Sequence, residues 1–359
     1  MASINLQGDT SGSISISAPS VAGSNTLTLP ATTQTLATQN ALGVRNLIIN
    51  GDMRIAQRGT SVAGISSGTT YNTVDRFKFQ INSAGTWTQT RDTDVPSGQG
   101  FANSLKMQCT TANASLSAGS YGLFLYPIEA QMLQHLKFGT SSAESVTLSF
   151  WVKSNKTGTY IINIRKDDDG RRIVKQYTIS SADTWEKKTI TIEGDETGAI
   201  NNDNGLGFDL QIWLSSGSDY TSGSVQAGWG TPSSSDLAPS QVNLADSTSN
   251  YINITGVQLE VGDTATPFEH RPYDMELARC QRYYEIGNVL KRIAVGNGES
   301  DHDVQMTVTK RANPTFTISS QGGVTNNVAT NFSNNCVGVN GSGSAYSNYF
   351  YNWVAEAEL

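Results

Sequence analysis

Residues 146–153, Val146-Thr147-Leu148-Ser149-Phe150-Trp151-Val152-Lys153, alternate apolar and polar side chains, with Trp151 alone in a polar slot. That period of two marks a strand with one buried face. The same alternation returns in 159–164 (TYIINI), 172–179 (RIVKQYTI), 188–192 (KTITI), 208–214 (FDLQIWL) and 251–260 (YINITGVQLE). Gly, Asn, Asp and Ser separate these runs, and no helical period appears between Asn46 and Pro272. Many short strands with nothing helical between them predict an all-β chain whose main body is a two-sheet sandwich of jelly-roll type, residues 45–273.

Composition agrees with that reading. Of 359 residues, 15% are charged and 37% hydrophobic, and 34 are glycine, a usage that favours strands and turns over helical bundles. At roughly 150 residues per domain the length suggests two or three units. The net charge of -7 argues against nucleic acid, which needs a basic stripe to release counterions. The first residues lack a charged and then apolar leader, and no run approaches the roughly 20 apolar residues of a bilayer span. The expectation is a chain made in a cytoplasm, without membrane insertion.

Residues 1–44 are nearly free of aromatic side chains, yet Ser13–Ser17 and the run TLTLP at 26–30 each alternate after a Gly-Ser turn signal. A flexible linker is one reading. The preferred one is an extended shaft in which several copies of the chain supply the missing partner face, giving a homotrimer. Past the sandwich, residues 273–285 (YDMELARCQRYYE) form the single helix candidate, with Asp274 as N-cap and Leu277, Cys280 and Tyr284 on one face. It is read as a connecting helix over 274–288. Residues 289–359 alternate again at 304–308, 315–318 and 349–354, predicting a small C-terminal β domain.

The chain offers little for catalysis. His135, His270 and His302 are scattered, with no metal-ligand spacing. The acidic run Asp167-Asp168-Asp169-Gly170 reads as a hairpin turn rather than a calcium loop, which would need further oxygens at fixed offsets. No Gly-x-Ser-x-Gly turn leads into a helix, and sequence cannot say whether Glu129, Asp209 or Glu260 faces a second carboxylate, as a glycosidase requires. The expectation is no enzyme, no catalytic residue, no cofactor and no bound metal.

Aromatic residues are the more telling supply, because their faces stack on sugar rings while polar neighbours bond the hydroxyls. Trp151 and Trp213 lie within alternating strands and are read as core, and Trp87 and Trp185 as packed at strand borders. Tyr220 and Trp229 stand in a long polar stretch, and Tyr346, Tyr349 and Tyr351 stand among Asn, Ser and Gly near the chain end. These five are the candidate stacking platforms. The competing reading makes Trp229 a loop anchor and packs Tyr349 and Tyr351 against Phe316 and Ile318.

Several stretches in order resemble a family of phage tail-fibre proteins whose body is similar to carbohydrate-binding jelly-roll modules. They are 46–60 (NLIINGDMRIAQRGT) with 74–77 (VDRF), 148–153 (LSFWVK), 256–262 (GVQLEVG) running into 265–269 (ATPFE), and 276–284 (ELARCQRYY). Residues 22–30 (AGSNTLTLP) are similar to lead-in segments of fibres from marine and cyanobacterial phages. The resemblance implies a virion protein, usually a homotrimer, held to the tail or other virion proteins by residues 1–44 and meeting the host with its C-terminal part. It supplies no ligand residues. The expected function is adsorption to a host surface glycan such as lipopolysaccharide. The alternatives are a structural fibre or capsid decoration protein and, further off, a glycan depolymerase.

Cys109, Cys280 and Cys336 are odd in number and widely spaced, which suits no disulfide framework. Thiol titration of the denatured, unreduced protein should find three free thiols. A lower count would show a disulfide.

Overall fold

The computed structural model describes residues 3–7, 11–17, 45–293, 299–322, 325–342 and 347–359. Two units are present, residues 1–42 and 43–359. In the first, β1 (Ser3–Gln7) and β2 (Ser13–Ser17) form an antiparallel hairpin with Ile4 opposite Ile16 and Leu6 opposite Ile14. The turn uses Gly12 at φ 77°, in the left-handed region that suits glycine. The run at 26–30 lies outside the described residues.

The second unit begins with β3 (Ser61–Tyr71), β4 (Lys78–Asp92), β5 (Ser104–Thr111) and β6 (Tyr121–Glu129). A 3-10 turn over Ala130–Leu136 leads to β7 (Val146–Ser154), β8 (Gly158–Lys166), β9 (Arg172–Ile179), β10 (Glu186–Ile192), β11 (Leu206–Ser216) and β12 (Tyr251–Val261). They pair antiparallel in the order β10-β7-β12-β5-β4-β6-β11-β8-β9, with β3 alongside β4. The result is an all-β jelly-roll sandwich, and the alternating runs predict its strands from β7 onward to within two residues at either end. Asp167–Gly170 is the β8–β9 turn, with Gly170 at φ 70°.

One strand belongs to both layers. Residues 86–92 of β4 pair with β5, whereas residues 78–82 pair with β6. The corner between them passes through Ser83 (φ 51°) and Gly85 (φ 80°). Phe79 and Ile81 before the corner, and Ala84 and Trp87 after it, all reach the same core. Trp87 is fully buried and donates its indole N–H to Ala84 O at 2.8 Å. On β12 a bulge between Thr255 and Gln258 resets the alternation, so Ile252 and Ile254 point inward before it and Val257 and Leu259 after it.

Two helices, α1 (Ser218–Thr221) and α2 (Tyr273–Gln281), and two 3-10 turns, Ser234–Asp236 and Leu244–Asp246, accompany six further strands: β13 (Tyr284–Ile293), β14 (Glu299–Gln305), β15 (Thr315–Gly322), β16 (Thr325–Phe332), β17 (Cys336–Ser342) and β18 (Ser347–Glu356). They form two three-stranded sheets, β13-β18-β15 and β14-β17-β16, around a core that includes Val337, Val339, Tyr351 and Trp353. The expected connecting helix is shorter than predicted. It ends at Gln281, and Tyr284 already pairs with Glu356, because the β-favouring run from Tyr284 finds a partner in β18. Pro272, not Asp274, is the N-cap, and Asp274 lies in the first turn.

Charged groups tie the C-terminal part to the sandwich. Glu129 accepts two bonds of 2.8 Å from Arg282 and one of 2.5 Å from the Tyr283 hydroxyl. Arg76, almost wholly buried, pairs with Glu358 and lies 3.4 Å from the centre of the Tyr283 ring. A Cβ at Gly85 would come within 2.6 Å of Thr111 O, in addition to the strain of a positive φ. Gly85→Ala should therefore cost about 2 kcal/mol or more, read as a lowered denaturant midpoint. An unchanged midpoint would show that the corner relaxes.

Candidate functional site

Inward-pointing side chains of β4, β6, β11, β8 and β9 fill the core, so the alternate positions form an outward face. Strand register aligns them in rows. Lys78, Leu125, Gln211, Asn163 and Val174 stand side by side across the five strands. One row on are Pro127, Asp209, Arg165 and Arg172, and one row back Gln80, Leu123 and Trp213. A polar half and an apolar half therefore share one surface.

The segment 217–242 covers the apolar half. Leu123, Ile161, Val174 and Trp213 pack under Leu237 and Ala238. The segment is pinned at both ends, Gly217 N donating to Ser120 O at 2.8 Å and Val242 N to Thr159 O at 3.0 Å. Asn163 Nδ2 also holds Leu237 O at 2.9 Å. Tyr220, on α1, is half-buried and meets the Tyr121 ring edge-on at 5.6 Å and the Trp213 ring at 5.5 Å. Trp213 Nε1 and Asn163 Oδ1 are buried without a hydrogen-bond partner.

In the polar half, Gln211 bridges two charges. Its Nε2 donates to Asp209 Oδ2 at 2.9 Å, and its Oε1 accepts from Arg172 Nη1 at 3.3 Å. Arg165 pairs with Asp167 at 2.6 Å, and Gln80 Nε2 donates to the Tyr121 hydroxyl at 3.2 Å. Burial pushes the Asp209 carboxyl above the ordinary aspartate range, against the pull of Gln211, Arg165, Lys78 and Arg172. Arg165 and Arg172 thus stand with Asp209 and Asp167, and Lys78, whose ammonium donates to Leu359 O and faces Glu358, borders them. Such a surface suits a hydroxyl-rich ligand that carries negative charge.

The five aromatic candidates fare differently. Tyr220 stands at the rim of this face. Trp229 is a loop anchor: it stacks on Phe208 at 6.1 Å, meets Phe138 edge-on and donates Nε1–H to Glu193 O at 2.7 Å. Tyr351 is fully buried in the C-terminal core, with Phe316 and Ile318 packed against the same cluster, so it is no exposed platform. Alternation along β18 turns it inward. Tyr346 lies outside the described residues, and for Tyr349 only the backbone pairing with Lys291 is described.

Two tryptophan expectations also change. Trp213 is buried, yet on the outward face beneath the 217–242 segment rather than between the layers. Trp151 is half-buried and points away from the core that Phe150 and Val152 fill. The polar residues of the site went unnoticed because Lys78, Gln80, Arg165, Arg172 and Gln211 are ordinary solvent-side positions in an alternating pattern. Their only sequence signal is that they fill the polar slots.

The motif residues behind the family resemblance serve the fold. Asn46 Oδ1 accepts from Ile48 N and Leu259 N, and Asn50 bonds both N and O of Ile55. Glu260 accepts from Gln258 and Thr266. Asp195, Asp169 and the carbonyls of Thr197 and Gly198 surround the fully buried Lys166 ammonium at 2.7–2.8 Å.

No protein-family model matches the sequence, and no curated protein matches it. Among solved structures the chain is similar to the enzymatically active domain of tailspike protein 4 of bacteriophage CBA120, with 15% identity and a TM-score of 0.32. That match covers 60% of this chain and 21% of the tailspike chain. It is also similar to a family 11 carbohydrate-binding module from Clostridium thermocellum in complex with a β-1,3-1,4-mixed-linked tetrasaccharide, with 12% identity, a TM-score of 0.26, and coverage of 60% and 95% of the two chains.

Burial alone would raise the Asp195 carboxyl, but hydrogen bonds from Arg171 and Lys166 outweigh it and hold the group below its usual range. An acid depressed in this way stabilises the fold above its unfolded value, about 3.9, and loses that contribution as pH falls through the folded value. Asp195→Asn should cost on the order of 3 kcal/mol at neutral pH, with the difference from the parent shrinking below about pH 4. Melting curves from pH 3 to 8 check this. A constant difference would remove the Asp195 carboxylate from the ledger of acid stability.

Proposed function

We propose that this chain is a non-catalytic glycan receptor of a phage tail fibre and that the outward face of β4-β6-β11-β8-β9 holds an acidic saccharide of the host surface, such as lipopolysaccharide supplies. The observation that carries the reading is the row Asp209-Arg165-Arg172 lying beside Lys78 and Gln211, on a face whose other end, six residues along β6, carries the half-buried rings of Tyr121 and Tyr220. Arginine forks and an amide suit a sugar carboxylate or phosphate and its hydroxyls, and an aromatic rim suits a ring face. Asp167, the other carboxylate of this face, is already ion-paired with Arg165, which favours binding over acid-base work at Asp209. The tail-fibre assignment rests on the family resemblance. In a homotrimer carried in several copies per particle, weak single sites would add through effective concentration.

Titration of the full chain with host lipopolysaccharide tests the reading. Arg172→Ala and Gln211→Ala should each weaken binding roughly 10-fold or more, because a hydrogen bond to a charged group contributes about 1.5–3 kcal/mol. Parent affinity should also rise as pH falls through the raised Asp209 range, since protonation removes a negative charge from the face, and Asp209→Asn should flatten that dependence. Undiminished binding in both variants would leave the structural-fibre or decoration alternative. Release of shortened glycan would favour the depolymerase.

A further inference from the structure

The other layer, β10-β7-β12-β5-β4, has an outward face of different chemistry. Thr90, Lys106, Asn253 and Lys153 form one row across β4, β5, β12 and β7. Thr88, Gln108 and Tyr251 form the next, and Trp151 follows Lys153 on β7. A depression of about 400 Å³ lies over the β4–β5 part, lined by residues that include Thr88, Thr90, Asp92, Lys106, Gln108 and Thr110. Trp151, Tyr251 and Trp185, the last just before β10, are all half-buried.

Two of the lysines on this face are ion-paired, while Lys187, beside Trp151 on β10, stands exposed. Lys106 meets Asp92 at 3.4 Å, and Lys153 meets Asp94 at 2.7 Å. Asp94 also accepts the Trp185 indole N–H at 3.0 Å, which holds that ring beside the lysine. The Tyr251 hydroxyl donates to Asp183 at 2.5 Å, and the Lys106 ammonium stands 5.1 Å from the Tyr251 ring centre. Asn253 is fully buried in the middle of the row. Its Nδ2 donates to Ser104 Oγ at 3.0 Å, while its Oδ1 has no partner in the protein.

We propose that this face is a second saccharide-binding surface, separate from the first and selective for an uncharged oligosaccharide. Threonine hydroxyls, Gln108 and the paired ions offer donors and acceptors for sugar hydroxyls without a net charge that would recruit an acid. Trp151, Trp185 and Tyr251 offer apolar ring faces, and their hydrogen bonds and strand positions fix them in advance, which limits the ordering cost of binding. The two surfaces lie on opposite layers of one sandwich, so one chain engages an acidic and a neutral part of a glycan coat independently.

Calorimetric titration of the full chain with cellotetraose, maltotetraose, β-1,4-galactotetraose and, for contrast, tetragalacturonate tests this. At least one uncharged tetrasaccharide should bind, and Trp151→Ala and Gln108→Ala should each weaken it roughly tenfold, with melting midpoints confirming that the variants fold. Arg172→Ala should leave that affinity unchanged, so failure of the first surface and failure of the second are read separately. The proposal is overturned if no uncharged sugar binds at millimolar concentration, if Trp151→Ala and Gln108→Ala bind it like the parent, or if its binding falls with Arg172→Ala. Self-association abolished by Trp151→Ala would overturn it too, marking the face as a contact between copies.

Discussion

The sandwich depends on β4 serving both layers. Its first residues hydrogen-bond to β6 and its last to β5, so a single continuous backbone closes one side of the barrel-like sheet. The bend needs two departures from extended backbone, at Ser83 and Gly85, and the Trp87 indole is then locked to the corner by Ala84 O. If the corner opened, Phe79 and Trp87 could no longer reach one core. The two outward faces owe their separation to the same corner.

Those faces have similar architecture and different electrostatics. On the β6-side layer Arg165 and Arg172 stand beside Asp209, whose burial weakens the negative charge by raising its pKa. On the β5-side layer Lys106 and Lys153 each have an aspartate. Local pairing, more than the overall charge of -7, decides what each surface attracts. A net acidic chain can therefore carry a patch suited to an anion.

Most polar residues that make the sequence distinctive are consumed inside the molecule. Asn46, Asn50, Glu276 and Arg271 staple the first segment of the sandwich to β12 and α2. Buried polar groups of this kind must be paired, which restricts the residue types those positions tolerate. Aromatic residues near the chain end are likewise partly structural: Trp353 stacks on Phe316 at 5.5 Å beside the buried Tyr351.

The amino-acid sequence by itself determined the strands from β7 to β12, because their buried faces impose an apolar residue at every second position, and it determined the Asp-Gly turn after β8. It left β3 and β4 unmarked, since bulges and corners at Gly64, Ser83 and Gly85 break the alternation that reveals a strand, and β6 unmarked because both of its faces are buried; β5 does alternate, through Leu105, Met107 and Cys109, and went unnoticed. It also overran α2, because Tyr284 continues a helical spacing until β18 claims it. Only the tertiary structure decided which polar slots meet. Lys78, Gln211 and Arg172 are separated by tens of residues and become neighbours through register alone, and the same register turns Trp151 to the surface and Tyr351 to the core. Alternation states that one side of each strand faces solvent. Which strands adjoin, and at what offset, depends on long-range hydrogen bonding that no local pattern records.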